Sequence, residues 1–155
     1  MPAVTLDIPG SKQETKYEIN QHIMHLWNTR WKRLNSCRQT KIFFPELSAS
    51  KSDQLLKNSR GMYSTLVQWL TGHTFLNRHE FIVGNLDFNE CRFCGLEPET
   101  SSHLITDCEV LWPERVDCFK DYFLDKSNPQ WKAHDLVKFL QKPAIRALDT
   151  AIYPE

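Results

Sequence analysis

Residues Cys91 to Cys108 read CRFCGLEPETSSHLITDC and contain three of the chain's five cysteines and one of its six histidines. The spacing is C-x2-C-x8-H-x4-C. Two thiolates separated by two residues can wrap one turn around a single ion, with Gly95 relieving crowding and backbone N–H groups facing the sulfurs. The other two donors must return from the far side of a short loop. Thr100 or Ser101 suits the cap of a short helix that carries His103 near its start and leaves Cys108 just past its end. Cys91, Cys94, His103 and Cys108 then supply S, S, N and S donors. That closed tetrahedral set favours one structural Zn²⁺ and leaves no position for water. The competing reading, unrelated buried thiols, does not account for three cysteines and a histidine at finger-like spacing. Cys37 and Cys118 lie outside the pattern. His73 and His79 read as helix-end or packing residues rather than ligands.

Around this loop the chain is patterned for helices. From Lys16 to Leu34, Ile19, Ile23, Leu26/Trp27, Trp31 and Leu34 recur at the spacing of an amphipathic helix. The segment SCRQTKIFFPELSASKSDQ, with Pro45 and several serines, reads as a connector. A second helix is expected over about 53–72, capped by Ser52 or Asp53 and closed by Gly72. HTFLNRHEFIVGN reads as a short helix ending at Gly84. LWPERVDCFKDYFLD has Pro113 in a first turn and an apolar stripe of Val116, Phe119 and Tyr122/Phe123. AHDLVKFLQK and AIRALDTAI supply one or two more helices, divided by Pro143. Strand-like alternation is nearly absent. The expected fold is mainly α: residues 1–15 a linker or truncated edge, and 16–155 one small helical domain with a zinc-knuckle (CCHC-type) insert at 91–108. With the metal serving that loop alone, the helices are expected to survive its removal.

A chain of 155 residues suits one domain, and 41% hydrophobic with 25% charged residues is the balance of a folded chain rather than a disordered one. No apolar run approaches the ~20 residues that cross a bilayer, so no membrane partner is expected. MPAVTLDIPGSKQE has no basic region followed by an apolar stretch, so no secretory signal is read. An intracellular setting, nucleus or cytoplasm, is therefore expected, where clustered cysteines are metal ligands more often than disulfides. The formal charge is zero, but residues 11–60 carry ten Lys or Arg against four acids, and residues 61–155 nine against fourteen. Neutrality argues against a tight nucleic-acid binder, while the asymmetry permits a basic face.

The tract LTGHTFLNRHEFIVGNLDFNECRFCGLEPETSSHLITDC resembles the C-terminal end of the polymerase protein of non-LTR (LINE-like) retrotransposons. That family carries L-T-G-H-x-x-L-x-x-H, then C-R-x-C-G, then E-T-x-x-H-x-x-x-x-C. The matching residues are Leu70 to His73, Leu76, His79, Cys91 to Gly95, Glu99-Thr100, His103 and Cys108. WNTRWKRLNSCRQTKIFFPE is similar to the segment that follows the ribonuclease H domain in the same family. The resemblance implies a zinc-knuckle region that helps engage element RNA or target DNA. It does not imply catalysis by this chain. No two aspartates are adjacent, as a reverse transcriptase site requires, and the carboxylate-bearing sheet of a ribonuclease H is not expected either.

The expected function is thus a non-catalytic, zinc-stabilised module that binds RNA or single-stranded DNA weakly and in a salt-dependent way. Arg92 and Phe93 on the metal turn would serve a phosphate and a base, with Lys32, Arg33, Arg38 and Lys41 as a second basic group. Glu97, Glu99, Asp107 and Glu109 surround the loop and would oppose phosphates. The alternatives are a protein-interaction or scaffolding module, with the polymerase domains of a parent protein as a candidate partner, or a fragment of a reverse transcriptase/ribonuclease H protein without its catalytic domains.

Overall fold

The computed structural model describes residues 10–121, 124–125 and 131–150, with no side-chain account of the last two. Among the described residues the protein is helical, with no strand and one isolated antiparallel bridge between Glu90 and Pro98. The chain divides into two units, one ending at Asn35 and one beginning at Ser36. That boundary falls inside the stretch 16–155 that the sequence reads as one domain.

The first unit contains α1 (Lys12–Arg33). It starts before the expected Lys16 because Ser11, in an extended conformation, accepts a 3.2 Å hydrogen bond from the Glu14 N–H. Arg30, Lys32 and Arg33 occupy the last turn, where positive charge offsets the helix dipole. The apolar spacing correctly foretells the helix but not its surroundings: no residue of α1 is buried, and Ile19, Ile23, Leu26 and Trp27 are exposed. Residues 1–9 of the expected linker lie outside the described residues.

The second unit contains α2 (Arg38–Phe43), α3 (Ala49–Leu56), α4 (Arg60–Thr71), α5 (Asn77–Val83) and α6 (Ser101–Thr106). A 3-10 turn, Glu109–Leu111, then leads into α7 (Trp112–Phe119), followed by α8 (Ala133–Leu140) and α9 (Pro143–Thr150). Two expectations need correction here. The supposed connector is largely helical, and its first helix is anchored in the core: Phe43 is buried, Trp131 Nε1 donates 3.1 Å to the Phe43 carbonyl, and Phe44 meets the Trp131 ring edge-on at 5.3 Å. The single helix expected over 53–72 is two. Asn58 turns its amide back onto the carbonyls of Gln54 and Leu55, ending α3, and Ser59 accepts from the Met62 N–H to start α4. Gly72 and Gly84 end α4 and α5 in the left-handed conformation, as expected. Tyr122 and Phe123 of the expected α7 stripe lie outside the described residues.

The core of this unit surrounds α6. All six residues of α6 are buried, and Leu104 and Ile105 are fully so; each contributes about 1.5–3 kcal/mol by burial. Ser101 Oγ donates to the Trp69 carbonyl of α4 at 2.5 Å and accepts from Gln39 Nε2 of α2 at 2.9 Å. At the other end the Leu124 N–H donates to the Thr106 carbonyl at 3.0 Å. The helix that bears His103 is therefore tied into the second unit at both ends.

Candidate metal centre

Local backbone chemistry builds the two halves of the site. On the first half, the Gly95 N–H closes a 2.8 Å turn onto the Cys91 carbonyl, with Gly95 at φ 67. The Cys91 N–H bonds the Glu97 carbonyl and the Glu99 N–H the Asn89 carbonyl, both at 2.8 Å, pinning the loop as a narrow hairpin around the Glu90–Pro98 bridge. The Cys94 and Phe93 backbone N–H groups favour the Cys91 thiolate. On the second half, Thr100 Oγ1 accepts from the His103 N–H at 3.0 Å and starts α6. Cys108 follows one residue past the α6 cap, and the Val110 and Leu111 backbone N–H groups favour its thiolate.

These turns bring Cys91, Cys94, His103 and Cys108 together, with donor atoms all within 4.8 Å of one another. A tetrahedral ion with zinc-like bonds of ~2.3 Å to sulfur and ~2.0 Å to nitrogen sets neighbouring donors about 3.5–3.8 Å apart. Cys91 Sγ and Cys108 Sγ stand 3.9 Å apart, and Cys94 Sγ and His103 Nε2 3.3 Å. The residues fit such an ion. His103 Nδ1 is buried, has no hydrogen-bond partner, and sits 3.5 Å from Glu97 and 3.6 Å from Asp107. A proton on Nδ1 facing those two carboxylates leaves the Nε2 lone pair for the ion, the arrangement that orients metal-bound imidazoles.

Without a cation the donors share protons. The contact with Cys108, and then burial, push the Cys91 thiol up to about 12, while the same contact lowers Cys108. Burial pulls His103 down, but its contacts with Cys91 and Cys94 and the charge of Asp107 prevail and raise it to about 9. A divalent ion entering this sphere displaces those protons.

Two buried charges that the sequence reading assigned elsewhere, or passed over, hold the centre in place. Glu99 is 0% exposed and accepts from the Asn77 and Arg92 N–H groups and, through a 2.6 Å ion pair, from the Arg92 guanidinium. The same guanidinium donates to the carbonyls of Phe75 and Leu148. Arg115, also 0% exposed, donates to the carbonyls of Leu104 and Cys108 and so fixes the backbone that carries the last ligand. In sequence neither is distinguishable from a solvated charge, although Glu99 stands in the E-T pair of the quoted motif.

Arg92 faces Glu99, its side chain 25% exposed. Phe93 is half-buried against the core. Lys32 and Arg33 lie in the last turn of α1, in the first unit, while Arg38 and Lys41 lie on α2 in the second. His73 and His79 meet ring to ring, centroids 5.4 Å apart, and neither belongs to the ligand cluster.

The chain matches no protein-family profile, no curated protein and no solved structure. Fold and site together define a mainly helical protein with a Cys3His loop able to hold one metal ion. Among the described residues, no helix is long and apolar enough to cross a membrane.

Proposed function

We propose that the chain is a non-catalytic, zinc-stabilised module that binds RNA or single-stranded DNA, akin to the C-terminal zinc-knuckle region of a non-LTR retrotransposon polymerase protein. The observation that carries the metal half is the convergence of three sulfurs and one imidazole nitrogen within 4.8 Å of one another, two of the pairs at 3.9 and 3.3 Å. Four protein donors saturate the ion, so its role is to fold the chain rather than to activate water. Three thiolates favour Zn²⁺ over the harder cations. The nucleic-acid half is supported by the combined motif from Leu70 to Cys108.

Purified protein is expected to contain one equivalent of zinc by elemental analysis. Cys94→Ser should lose most of it and gain protease cleavage within 91–108; unchanged stoichiometry would refute the ligand assignment. A labelled single-stranded oligonucleotide should bind at low salt and dissociate steeply as salt rises, because phosphate contacts release counterions.

A protein-interaction role is the second reading. Exposed Leu96, Val110 and Trp112 stand in sequence beside Glu97 and Glu109 around the metal loop, an apolar and acidic composition suited to a protein partner. The absence of any oligonucleotide binding at low salt would leave this reading in place of the first.

A further inference from the structure

Beside the metal loop, residues of α2, α4, α5 and α6 enclose a groove of about 710 Å³. Its walls carry Arg38, His73, Arg78 and His79, with Ile82 at the end of α5. Glu99 also borders it, but that carboxylate is taken up by Arg92 and two backbone N–H groups. Among the described residues neither Arg38 nor Arg78 pairs with a carboxylate; the Arg78 guanidinium lies 5.9 Å from the centre of the Phe81 ring. The groove thus concentrates positive charge without a matching counter-charge, in a concave wall that focuses the field.

Its shape is built in. Gln39, Ser101 and the Trp69 carbonyl form a hydrogen-bonded floor joining three helices. Gly72 adopts φ 79, and a Cβ there would stand 2.9 Å from Gln39 Cγ, so the α4 terminus can approach α2 this closely only as glycine.

We propose that this groove is where the chain holds a single-stranded nucleic acid. Arg38 and Arg78 take phosphates, and one imidazole of the edge-on His73–His79 pair, whose rings are inclined at 60°, stacks on a base. Guanidinium groups suit phosphate oxygens geometrically, and aromatic rings stack bases of any sequence. The volume lies in the ~300–1,000 Å³ range of small-ligand sites, which fits one or two nucleotides and not a duplex. This rests on the nucleic-acid reading above but moves the contact away from Arg92 and Phe93.

The test is fluorescence anisotropy with a labelled single-stranded DNA of about ten nucleotides, on the zinc-loaded 155-residue chain across a salt series. The paired substitution Arg38→Gln with Arg78→Gln is expected to weaken binding about tenfold and to make the slope of log K against log salt shallower by about 1.4, two lost phosphate contacts. Ile82→Lys, an exposed change at the groove, is expected to strengthen binding without touching the fold. Zinc content and circular dichroism should match the parent protein in each variant. Unchanged affinity and slope in the double variant, or an equal loss from Lys32→Gln with Arg33→Gln, would overturn the groove while leaving the nucleic-acid reading intact. Displacement of the oligonucleotide by poly-glutamate or millimolar inorganic phosphate as readily as by unlabelled oligonucleotide would also overturn it, pointing to an acidic peptide or free phosphate instead. No binding of the oligonucleotide by any form at low salt would remove both readings together.

Discussion

If the proposed zinc is bound, chelating it is expected to destabilise the whole unit that begins at Ser36, not only the loop from Cys91 to Cys108. An ion held by the four donors would join a hairpin at Cys91 and Cys94 to the helix that bears His103, and all six residues of α6 are buried. Ser101 at its start holds α4 and α2, Thr106 at its end accepts from Leu124, and Arg115 of α7 grips the carbonyls of Leu104 and Cys108. Removing the ion leaves the buried sulfurs of Cys91 and Cys108, 3.9 Å apart, without the cation that joins them to Cys94 and His103. Structural zinc supplies an apparent ~10–16 kcal/mol in finger peptides, against a net stability of ~5–15 kcal/mol for a domain of ordinary size. Even a fraction of that binding energy therefore decides whether the unit folds. The expected result is loss of amide-exchange protection at Leu66 and Trp69 in α4 as well as at Leu104 and Ile105 in α6 when chelator is added. Protection lost in α6 and retained in α4 would return the metal to a merely local role, as the sequence alone suggested.

The parts of this architecture that were legible in the sequence are those decided by neighbours along the chain. A left-handed turn needs glycine, so Gly72 and Gly84 marked two helix ends. A threonine before an N-terminal turn marked α6, and two cysteines two residues apart marked the metal turn. The parts that were not legible depend on partners far along the chain. Residues 38–43 form a helix whose end is held by Trp131, 88 residues from Phe43. The break between α3 and α4 is made by the Asn58 amide, whose side chain is equally at home on a helix surface. The apolar stripe of α1 has the periodicity of a core helix and yet none of its residues is buried. Charge is the least legible of all. Glu99 and Arg115 carry the same letters as solvated residues, and only the arrangement of acceptors and donors around them reveals that they are buried and paired.

Glu99→Ala is expected to cost about 2–4 kcal/mol of stability, a fall in Tm of roughly 6–12 °C for a chain of this size. Breaking one side of a buried ion pair typically costs ~3–5 kcal/mol, because the remaining charge stays in place without compensation; the figure is reduced here because the Arg92 side chain is 25% exposed and water can reach part of it. The substitution also strips two backbone donors, the N–H groups of Asn77 and Arg92, of their acceptor. Those two groups lie in different elements: Asn77 opens α5, and Arg92 sits inside the metal turn. Glu99→Gln keeps the volume and one acceptor oxygen, so it should lose less, retain its zinc and separate the charge from the packing. Arg92→Gln reverses the imbalance, leaving a carboxylate at 0% exposure with backbone donors alone. A double-mutant cycle over these two glutamine variants, read by urea denaturation, is expected to give a coupling of at least ~1 kcal/mol. A coupling near zero would mean that the pair is solvated, and Arg92 would then be free to serve a phosphate after all. A large coupling leaves that guanidinium occupied by Glu99, so its loss should register in stability before it registers in any oligonucleotide affinity.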